Sequence, residues 1–303
     1  MNVKVIAEAG VNHNGNIDIA HKLIEESKKA GANAVKFQTF SADEIATTDA
    51  EKAEYQIDKD RKETQHEMLS RLELSEDEHK DLKRHCEKVD IEFMSTAFGK
   101  KELDMLINCG VKTIKIASGE ITNKPLLEYM ASVAATHKLE VLLSTGMSSI
   151  NDIEEALKVF IERKVSKSEI TIMHCTSSYP APIEELNMNA LKLIAEKFQC
   201  PIGYSDHSMG IEAAICATSI GAKVIEKHIT LDKKMVGPDH AASLNPCEFK
   251  KMVESIRNFE KILGNEEKRI QKSEINTKQV GCCWMLPVPF HHSLTPGGRA
   301  LTD

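Results

Sequence analysis

The chain has 303 residues, and 39 Lys and Arg against 46 Asp and Glu give it a formal net charge of −7 at pH 7. Hydrophobic residues make up 41% and charged residues 28%, a composition typical of water-soluble globular proteins. No basic block interrupts the acidic average, which argues against nucleic acid as a partner. No apolar run approaches the roughly 20 residues that span a bilayer, so we expect no membrane partner.

The eight cysteines are scattered, without a CxxC pair or a compact disulfide framework. The first residues, Met1 to Glu8, enter a strand-like run directly and lack the features of a signal peptide. Scattered, reduced cysteines in a chain of this size indicate a cytoplasmic location.

Short apolar runs alternate with longer helical patterns along most of the chain. The predicted strands are Val3–Ala9, Ala34–Phe40, Ile91–Thr96, Thr113–Ala117, Glu140–Ser144, Ile170–His174, Ile202–Tyr204 and Lys223–His228. The clearest helical patterns cover Ile17–Ala30, Asn151–Phe160, Ile211–Ile220 and Cys247–Leu263. Gly31, Gly221 and Gly264 directly follow three of these patterns and are predicted C-terminal stops.

Eight strands that alternate with helices predict an α/β protein with the (β/α)8 TIM-barrel fold. The alternative is an open doubly wound sheet, which would be unusually wide with eight such units. We place the barrel in residues 1–270 and predict an irregular tail over 271–303, which shows no helical or strand period. A long polar segment between Phe40 and Leu74 is interpreted as a lid or binding loop on the catalytic face.

Polar side chains lie at or just after the C-terminal end of every predicted strand. In chain order they are Glu8, Lys36, Gln38, Ser95, Thr96, Lys115, Ser118, Glu120, Ser144, His174, Ser205, Asp206, His207 and His228. TIM barrels build their active sites on this face, so we expect these side chains to meet in one mouth. Another group of histidines lies in helical or charged stretches and is expected to be solvated: His21, His66, His79, His85 and His137.

Lys36 and Lys115 are candidates for binding an anion. Gln38 shares a strand face with Lys36, and Lys115 precedes Ser118-Gly119-Glu120, where the glycine lets backbone approach a ligand closely. Two lysines with several hydroxyl groups suit phosphate and carboxylate. The alternative is that each lysine only pairs with a neighbouring acidic side chain. No GxxxxGK[ST] loop is present, which argues against nucleotide hydrolysis.

His207 and His228 end the last two strands, where two imidazoles can reach one ion. Two histidines do not complete a structural zinc site, so an open site for Mn²⁺ or Mg²⁺ that water and substrate oxygens complete is the better prediction. The alternative is a hydrogen-bonded histidine without an ion at each position.

Several longer motifs resemble the sialic acid synthase family, which includes the legionaminic and pseudaminic acid synthases. The matching segments are Ile6–Gly15, Ala34–Thr39, Lys115–Glu120, Leu143–Met147, His174–Thr176, Tyr179–Pro180, Gly203–His207, Glu226–His228 and Gly237–His240. They occur in order over residues 3 to about 265, and together they are highly specific.

This resemblance implies condensation of phosphoenolpyruvate with an N-acylated amino sugar, either N-acetylmannosamine or a diacetamido-trideoxyhexose, to give a nonulosonic acid and phosphate. It assigns phosphoenolpyruvate to Lys36, Thr96, Lys115, Ser118, Ser144 and Ser205. It assigns the sugar to Gln38, Glu120, Tyr179 and Asp239. His207 and His228 would bind the divalent ion, which is Mn²⁺ with Mg²⁺ or Co²⁺ as alternatives. They would be catalytic together with Glu8, which handles the water that attacks C2.

The resemblance also implies a C-terminal domain similar to type III antifreeze protein and a domain-swapped homodimer. Nothing after about Asn276 resembles that domain, so turnover and dimer formation by this chain stay open. One alternative is therefore a non-catalytic relative that binds phosphoenolpyruvate without turnover. Another is a metal-dependent aldolase that uses pyruvate and needs no phosphate site.

Overall fold

The structure, a computed structural model, describes residues 2–52 and 63–278. Its eight strands form a closed parallel barrel in sequence order, with β8 hydrogen-bonded to β1. They are β1 Lys4–Gly10, β2 Ala34–Thr39, β3 Glu92–Ala97, β4 Thr113–Ile116, β5 Glu140–Ser144, β6 Ile170–His174, β7 Ile202–Asp206 and β8 Val224–His228. The predicted TIM barrel is confirmed, and the predicted strand ends differ from the observed ones by at most two residues.

The helices follow the strands on the outside of the barrel. They are α1 Ile17–Lys29, α2 Ala42–Ile45, α3 Gln65–Leu72, α4 Glu76–Val89, α5 Lys100–Asn108, α6 Lys124–His137, α7 Ile150–Glu162, α8 Ala190–Phe198, α9 Glu212–Ile220 and α10 Pro246–Leu263. Side chains that accept backbone N–H groups fix several of their starts, for example Ser75 with Glu78 at α4 and Ser149 with Asp152 at α7. The predicted stops Gly31 and Gly221 adopt positive φ angles of 87° and 111°, which glycine tolerates best.

The segment between Phe40 and Leu74 contains more regular structure than a binding loop. It holds α2 and α3, and Thr64 caps α3 in a reciprocal capping box with Glu67. Residues 53–62, in the middle of this segment, lie outside the described residues. A lid role for the segment therefore stays a prediction.

Strand residues alternate between the barrel interior and the surrounding helices, because successive side chains of a strand point to opposite faces. A small interior cluster is apolar and comprises Ile6, Ala34, Met94, Leu142, Met173 and Val224. Two positions further along five of these strands come Glu8, Lys36, Thr96, Ser144 and Glu226. The interior therefore changes from apolar to polar and charged towards the C-terminal ends of the strands.

The compact unit that contains the barrel covers Met1–Leu263, and a second unit covers Gly264–Asp303. Within the second unit, a short 3₁₀ helix spans Lys272–Glu274. Residues 279–303, the greater part of the predicted irregular tail, lie outside the described residues. Among the helices that the structure describes, none combines the length and the apolar character needed to cross a membrane.

Candidate active site

The centre of the barrel mouth is a buried network of two lysines and two carboxylates. Lys36 Nζ lies 2.7 Å from Glu8 Oε2 and 2.8 Å from Thr96 Oγ1. Lys115 Nζ donates to both Glu226 oxygens, at 2.8 and 2.9 Å, and Glu226 Oε2 also lies 3.8 Å from Lys36 Nζ. The strand register explains this convergence, since Glu8 is opposite Lys36 and Thr96 is opposite Lys115. Each lysine thus pairs with an acid, as in the alternative interpretation, and Glu226 joins both lysines in one buried network.

The two carboxylates respond differently to the same burial. Desolvation raises the pKa of Glu8 to about 7, even though Lys36 favours its ionised form, and the negative charge of Glu226 adds to the increase. Desolvation also acts on Glu226, but Lys115 and Lys36 outweigh it and hold the pKa of this carboxyl far below its usual value. Glu226 is therefore a fixed anion, whereas Glu8 can exchange a proton near neutral pH.

A hydrogen bond to the backbone fixes the ring of His207. Its Nδ1 lies 2.7 Å from the carbonyl oxygen of Thr176, to which it donates as the Nδ1–H tautomer. Its Nε2 lies 3.2 Å from both Tyr179 Oη and Ser205 Oγ. Ser205 in turn donates to Glu226 Oε1 at 2.9 Å, so the histidine end of the site connects directly to the charged network.

His228 faces His207 across the mouth, with ring centroids 5.9 Å apart. Its Nδ1 is buried without a hydrogen-bond partner among the described residues, and Asp239 Oδ2 is 3.8 Å away. Burial lowers the pKa of His207 to about 4 and that of His228 well below 6.5. Both imidazoles are consequently neutral at pH 7, the form that carries a free lone pair.

The imidazole nitrogens of these two histidines are suitable ligands for a divalent ion. His228 has a buried nitrogen without a hydrogen-bond partner among the described residues, and the hydrogen bond to Thr176 fixes the orientation of the His207 ring. Imidazoles with these features can bind a metal. Within residues 2–52 and 63–278, however, no three His, Cys, Asp or Glu side chains form a group that could hold an ion. An ion at this place would therefore need water or substrate oxygens as further ligands.

A second part of the mouth is formed by the ends of β4, β5 and β6. Gly146 N donates to Ser118 Oγ at 3.1 Å, and Ser118 Oγ lies 3.3 Å from Cys175 Sγ. A Cβ atom on Gly146 would lie only 2.1 Å from Ser177 Oγ and 2.8 Å from Ser118 Oγ. The absence of a side chain at Gly146 therefore lets three chain segments bring small polar groups together.

The structure brings most of the predicted site residues into one connected set of contacts. That set contains Glu8, Lys36, Gln38, Thr96, Lys115, Tyr179, Ser205, His207, His228 and Asp239. Gln38 is its weakest member, with Nε2 at 3.5 Å from Glu8 Oε1. Ser144 is buried at the end of β5, Ser118 contacts the neighbouring loop, and Glu120 accepts from Asn123 Nδ2.

Three of the polar strand ends do not belong to this mouth. Ser95 contacts Thr39 Oγ1 at 2.6 Å, Asp206 pairs with Lys227 at 2.8 Å, and His174 Nε2 contacts the carbonyl oxygen of Leu186 at 2.8 Å. Ser95 and Asp206 directly neighbour inward-facing residues of their strands, and side chains alternate, so both point towards the helices. His174 likewise follows the interior residue Met173.

The expectation that His79 is solvated is also wrong. This histidine is fully buried on α4, with Nε2 at 2.8 Å from Thr39 Oγ1 and Nδ1 at 2.9 Å from the carbonyl oxygen of Ser75. The charged stretch around it forms the exposed face of α4, while His79 lies on the face that packs on the barrel. Desolvation lowers its pKa, so the ring is neutral at pH 7.

The sequence reasoning missed Glu226 as a site residue. It lies in Glu226–His228, one of the segments that resemble the sialic acid synthase family, and it is two residues before the inward-facing His228. The period of two in a strand therefore predicts that both side chains face the interior. The sequence does not show which acidic side chain lies close to both lysines.

Comparison with known proteins shows the family of the chain. The model of the NeuB family matches residues 23–268. The chain belongs to the NeuB family. Within it, the chain is 46% identical over 275 residues to the N,N'-diacetyllegionaminic acid synthase of Legionella pneumophila, covering 89% of this chain and 76% of that protein. It is 33% identical over 272 residues to the human N-acetylneuraminate-9-phosphate synthase, covering 89% of this chain and 74% of that one.

A solved structure agrees with the fold. The N-acetylneuraminic acid synthetase of Leptospira borgpetersenii, crystallised with citrate, superposes with a TM-score of 0.79 at 35% identity. The match covers 94% of this chain and 93% of that chain.

Proposed function

We propose that this NeuB-family chain condenses phosphoenolpyruvate with an N-acylated amino sugar, forming a nonulosonic acid and releasing phosphate. The observation that carries the proposal is the pairing of Lys36 and Lys115 through Glu226 beside the two neutral imidazoles of His207 and His228. Two ammonium groups beside two lone-pair donors suit an anionic donor substrate on one side and a carbonyl acceptor on the other.

Phosphoenolpyruvate is placed at the lysine end of the mouth. Lys36 and Lys115 would bind its negative charges, while Thr96, Ser118 and Ser205 offer hydroxyl groups at the same strand ends. Ser144, buried at the end of β5, would complete this group. The ammonium groups would also stabilise the phosphate as it leaves.

The amino sugar is placed at the histidine end, in its open-chain form with a free aldehyde. Tyr179 and Asp239 border His207 and His228 there, and Gln38 and Glu120 are assigned to the same substrate. A divalent ion, Mn²⁺ by preference, would be held by His207 and His228 and would polarise the aldehyde oxygen as a Lewis acid. C3 of phosphoenolpyruvate then forms the new bond with the aldehyde carbon.

Glu8 is the proposed proton acceptor for the water that adds to C2. Its pKa of about 7 lets it hold or release a proton at neutral pH, and Lys36 at 2.7 Å orients its carboxylate. The C2–O bond to phosphate subsequently breaks, the proton of the C2 hydroxyl leaves with the phosphate, and the ketone remains on the product. The proton that Glu8 took from water neutralises the oxygen of the former aldehyde.

The acceptor is proposed to be a diacetamido-trideoxyhexose. The chain shares 46% identity with a protein named for diacetyllegionaminic acid, against 33% with one named for N-acetylneuraminate 9-phosphate. This difference supports the diacetylated sugar, and a panel of three sugars tests it: the diacetamido-trideoxyhexose, N-acetylmannosamine and its 6-phosphate.

The decisive experiment uses phosphoenolpyruvate with ¹⁸O in the C–O–P bridge. With Mn²⁺ and the correct sugar, we expect phosphate release and ¹⁸O in the phosphate, because the C–O bond breaks. Lys115→Met should abolish turnover, whereas the exposed Lys197→Met should not. Folded chain that releases no phosphate with any sugar would refute the proposal, and condensation with pyruvate would favour an aldolase.

A further inference from the structure

A buried hydrogen-bonded chain connects the loop after β1 with the loop after β8. Asn12 Nδ2 donates to the carbonyl oxygen of Ile229 at 2.8 Å and to Ser243 Oγ at 2.9 Å. Ser243 Oγ in turn donates to the backbone oxygen of Asp239 at 2.6 Å. Asn12 and Ser243 are each only 1% exposed, so these bonds are shielded from water.

A second contact joins the same two loops. His240, which is fully buried next to Asp239, has Nε2 at 3.2 Å from Asn14 Oδ1 and Nδ1 at 2.7 Å from Thr230 Oγ1. Gly237 packs closely beside it, because a Cβ atom there would lie 2.8 Å from Asn14 Oδ1. Two asparagines of the first loop therefore hold the second loop on either side of Asp239.

These contacts fix a segment that borders the site. Leu244 N donates to the carbonyl oxygen of His228 at 2.9 Å, and Ile229 N donates to that of Glu8 at 2.9 Å. The loop that carries Asp239 is thus tied to the backbone of both His228 and Glu8. Asp239 itself is 8% exposed, and its Oδ2 lies 3.8 Å from His228 Nδ1.

We infer that Asn12, acting through Ser243, is a positioning residue that holds Asp239 beside His228 for binding of the amino sugar. The inference depends on the proposed function only in taking that sugar as the ligand of Asp239. It gives a role to the end of the Ile6–Gly15 motif, where the side chains of Asn12 and Asn14 do not take part in the proposed chemistry.

The test compares Ser243→Ala with Ser27→Ala, a matched control. Ser27 is also a fully buried serine that donates to a carbonyl oxygen, that of Leu23 within α1, away from the site. Loss of one hydrogen bond predicts that Ser243→Ala raises the KM for the amino sugar roughly three- to tenfold. The KM for phosphoenolpyruvate should stay within about twofold of wild type, and Ser27→Ala should leave both values unchanged.

Amide hydrogen exchange of residues 239–244 gives a readout that does not need turnover. Ser243→Ala and Asn12→Ala should each accelerate exchange there, and the double variant should add little because both changes interrupt one chain of bonds. Unchanged exchange, or equal increases of both KM values, would overturn the inference. A wild-type chain inactive with every sugar would instead count against the proposed function, and the exchange result would still decide the anchoring.

Discussion

Glu226 receives two hydrogen bonds from Lys115, at 2.8 and 2.9 Å, inside the barrel mouth where both side chains are almost fully buried. The same carboxylate lies 3.8 Å from Lys36 Nζ and accepts from Ser205 at 2.9 Å. Glu226 thus lies near both lysines and, together with Glu8 at 2.7 Å from Lys36, offsets the repulsion between the two cations in a region of low dielectric constant.

Neutralising this carboxylate should strongly destabilise the fold. Removing one partner of a buried ion pair costs about 3–5 kcal/mol, so Glu226→Gln should lower the free energy of unfolding in urea by about that amount. Inorganic phosphate should stabilise the variant more than wild type, because an anion can replace the lost charge. In the control, Glu154→Gln removes an exposed partner of Lys197 and should change little. Equal effects of the two substitutions would contradict the central role of Glu226.

Gly146 should be essential for binding phosphoenolpyruvate. A methyl group there would lie 2.1 Å from Ser177 Oγ and 2.8 Å from Ser118 Oγ, so Gly146→Ala must move the hydroxyl groups of both serines out of their present positions. We expect a rise in the KM for phosphoenolpyruvate of about ten- to a hundredfold, as for small displacements of binding groups. Ser132→Ala is the control, because Ser132 lies on α6 and its hydroxyl group donates to the carbonyl oxygen of Glu128, away from the mouth. An unchanged KM in Gly146→Ala would show that this geometry does not matter for binding.

The two imidazoles should make stability depend on a divalent ion. Mn²⁺ at one hundred times its Kd should stabilise the fold by about 2.7 kcal/mol and raise the Tm, and a chelator should reverse the increase. His228→Ala should remove the response to Mn²⁺. His174→Ala should keep it, because His174 contacts Leu186 on the other side of its strand. A Tm that responds to Mn²⁺ equally in both variants would place the ion elsewhere.

Buried His13 should make the fold sensitive to acid. Burial lowers its pKa from 6.5 to about 4, so between these pH values the unfolded chain binds more protons than the folded one. This contribution to stability is complete above pH 6.5 and is lost as the pH falls, by about 2 kcal/mol at pH 5.

The measurement compares wild type with His13→Gln in urea at pH 7 and pH 5. Contributions of other groups, such as Glu8 and Asp239 with their raised pKa values, largely cancel in this difference. The cost of the substitution should be smaller at pH 5 than at pH 7 by about 2 kcal/mol. A cost that is independent of pH would mean that His13 is not held neutral by burial.

Much of the fold could be predicted because its signals are local. Apolar runs of strand length, helical spacing between them and glycines at helix ends such as Gly31 and Gly221 each reflect interactions over a few residues. Eight repeats of a strand followed by a helix are compatible with few topologies, and this predicted the closed barrel. The segment between Phe40 and Leu74 was harder, since α2 and α3 are short and polar and neither has a long periodic pattern; only α3 has a side-chain cap, at Thr64.

The sequence by itself determined the residue types that a strand end can offer, and with them Lys36, Lys115, His207 and His228. Only the tertiary structure decided that Glu226 lies between the two lysines, that Asp206 turns outwards to Lys227, and that His79 is buried. The physical reason is that partners such as Lys115 and Glu226 are 111 residues apart in the chain and meet only when the barrel closes. Local spacing fixes which face a side chain occupies, whereas the choice of partner depends on the neighbouring strands.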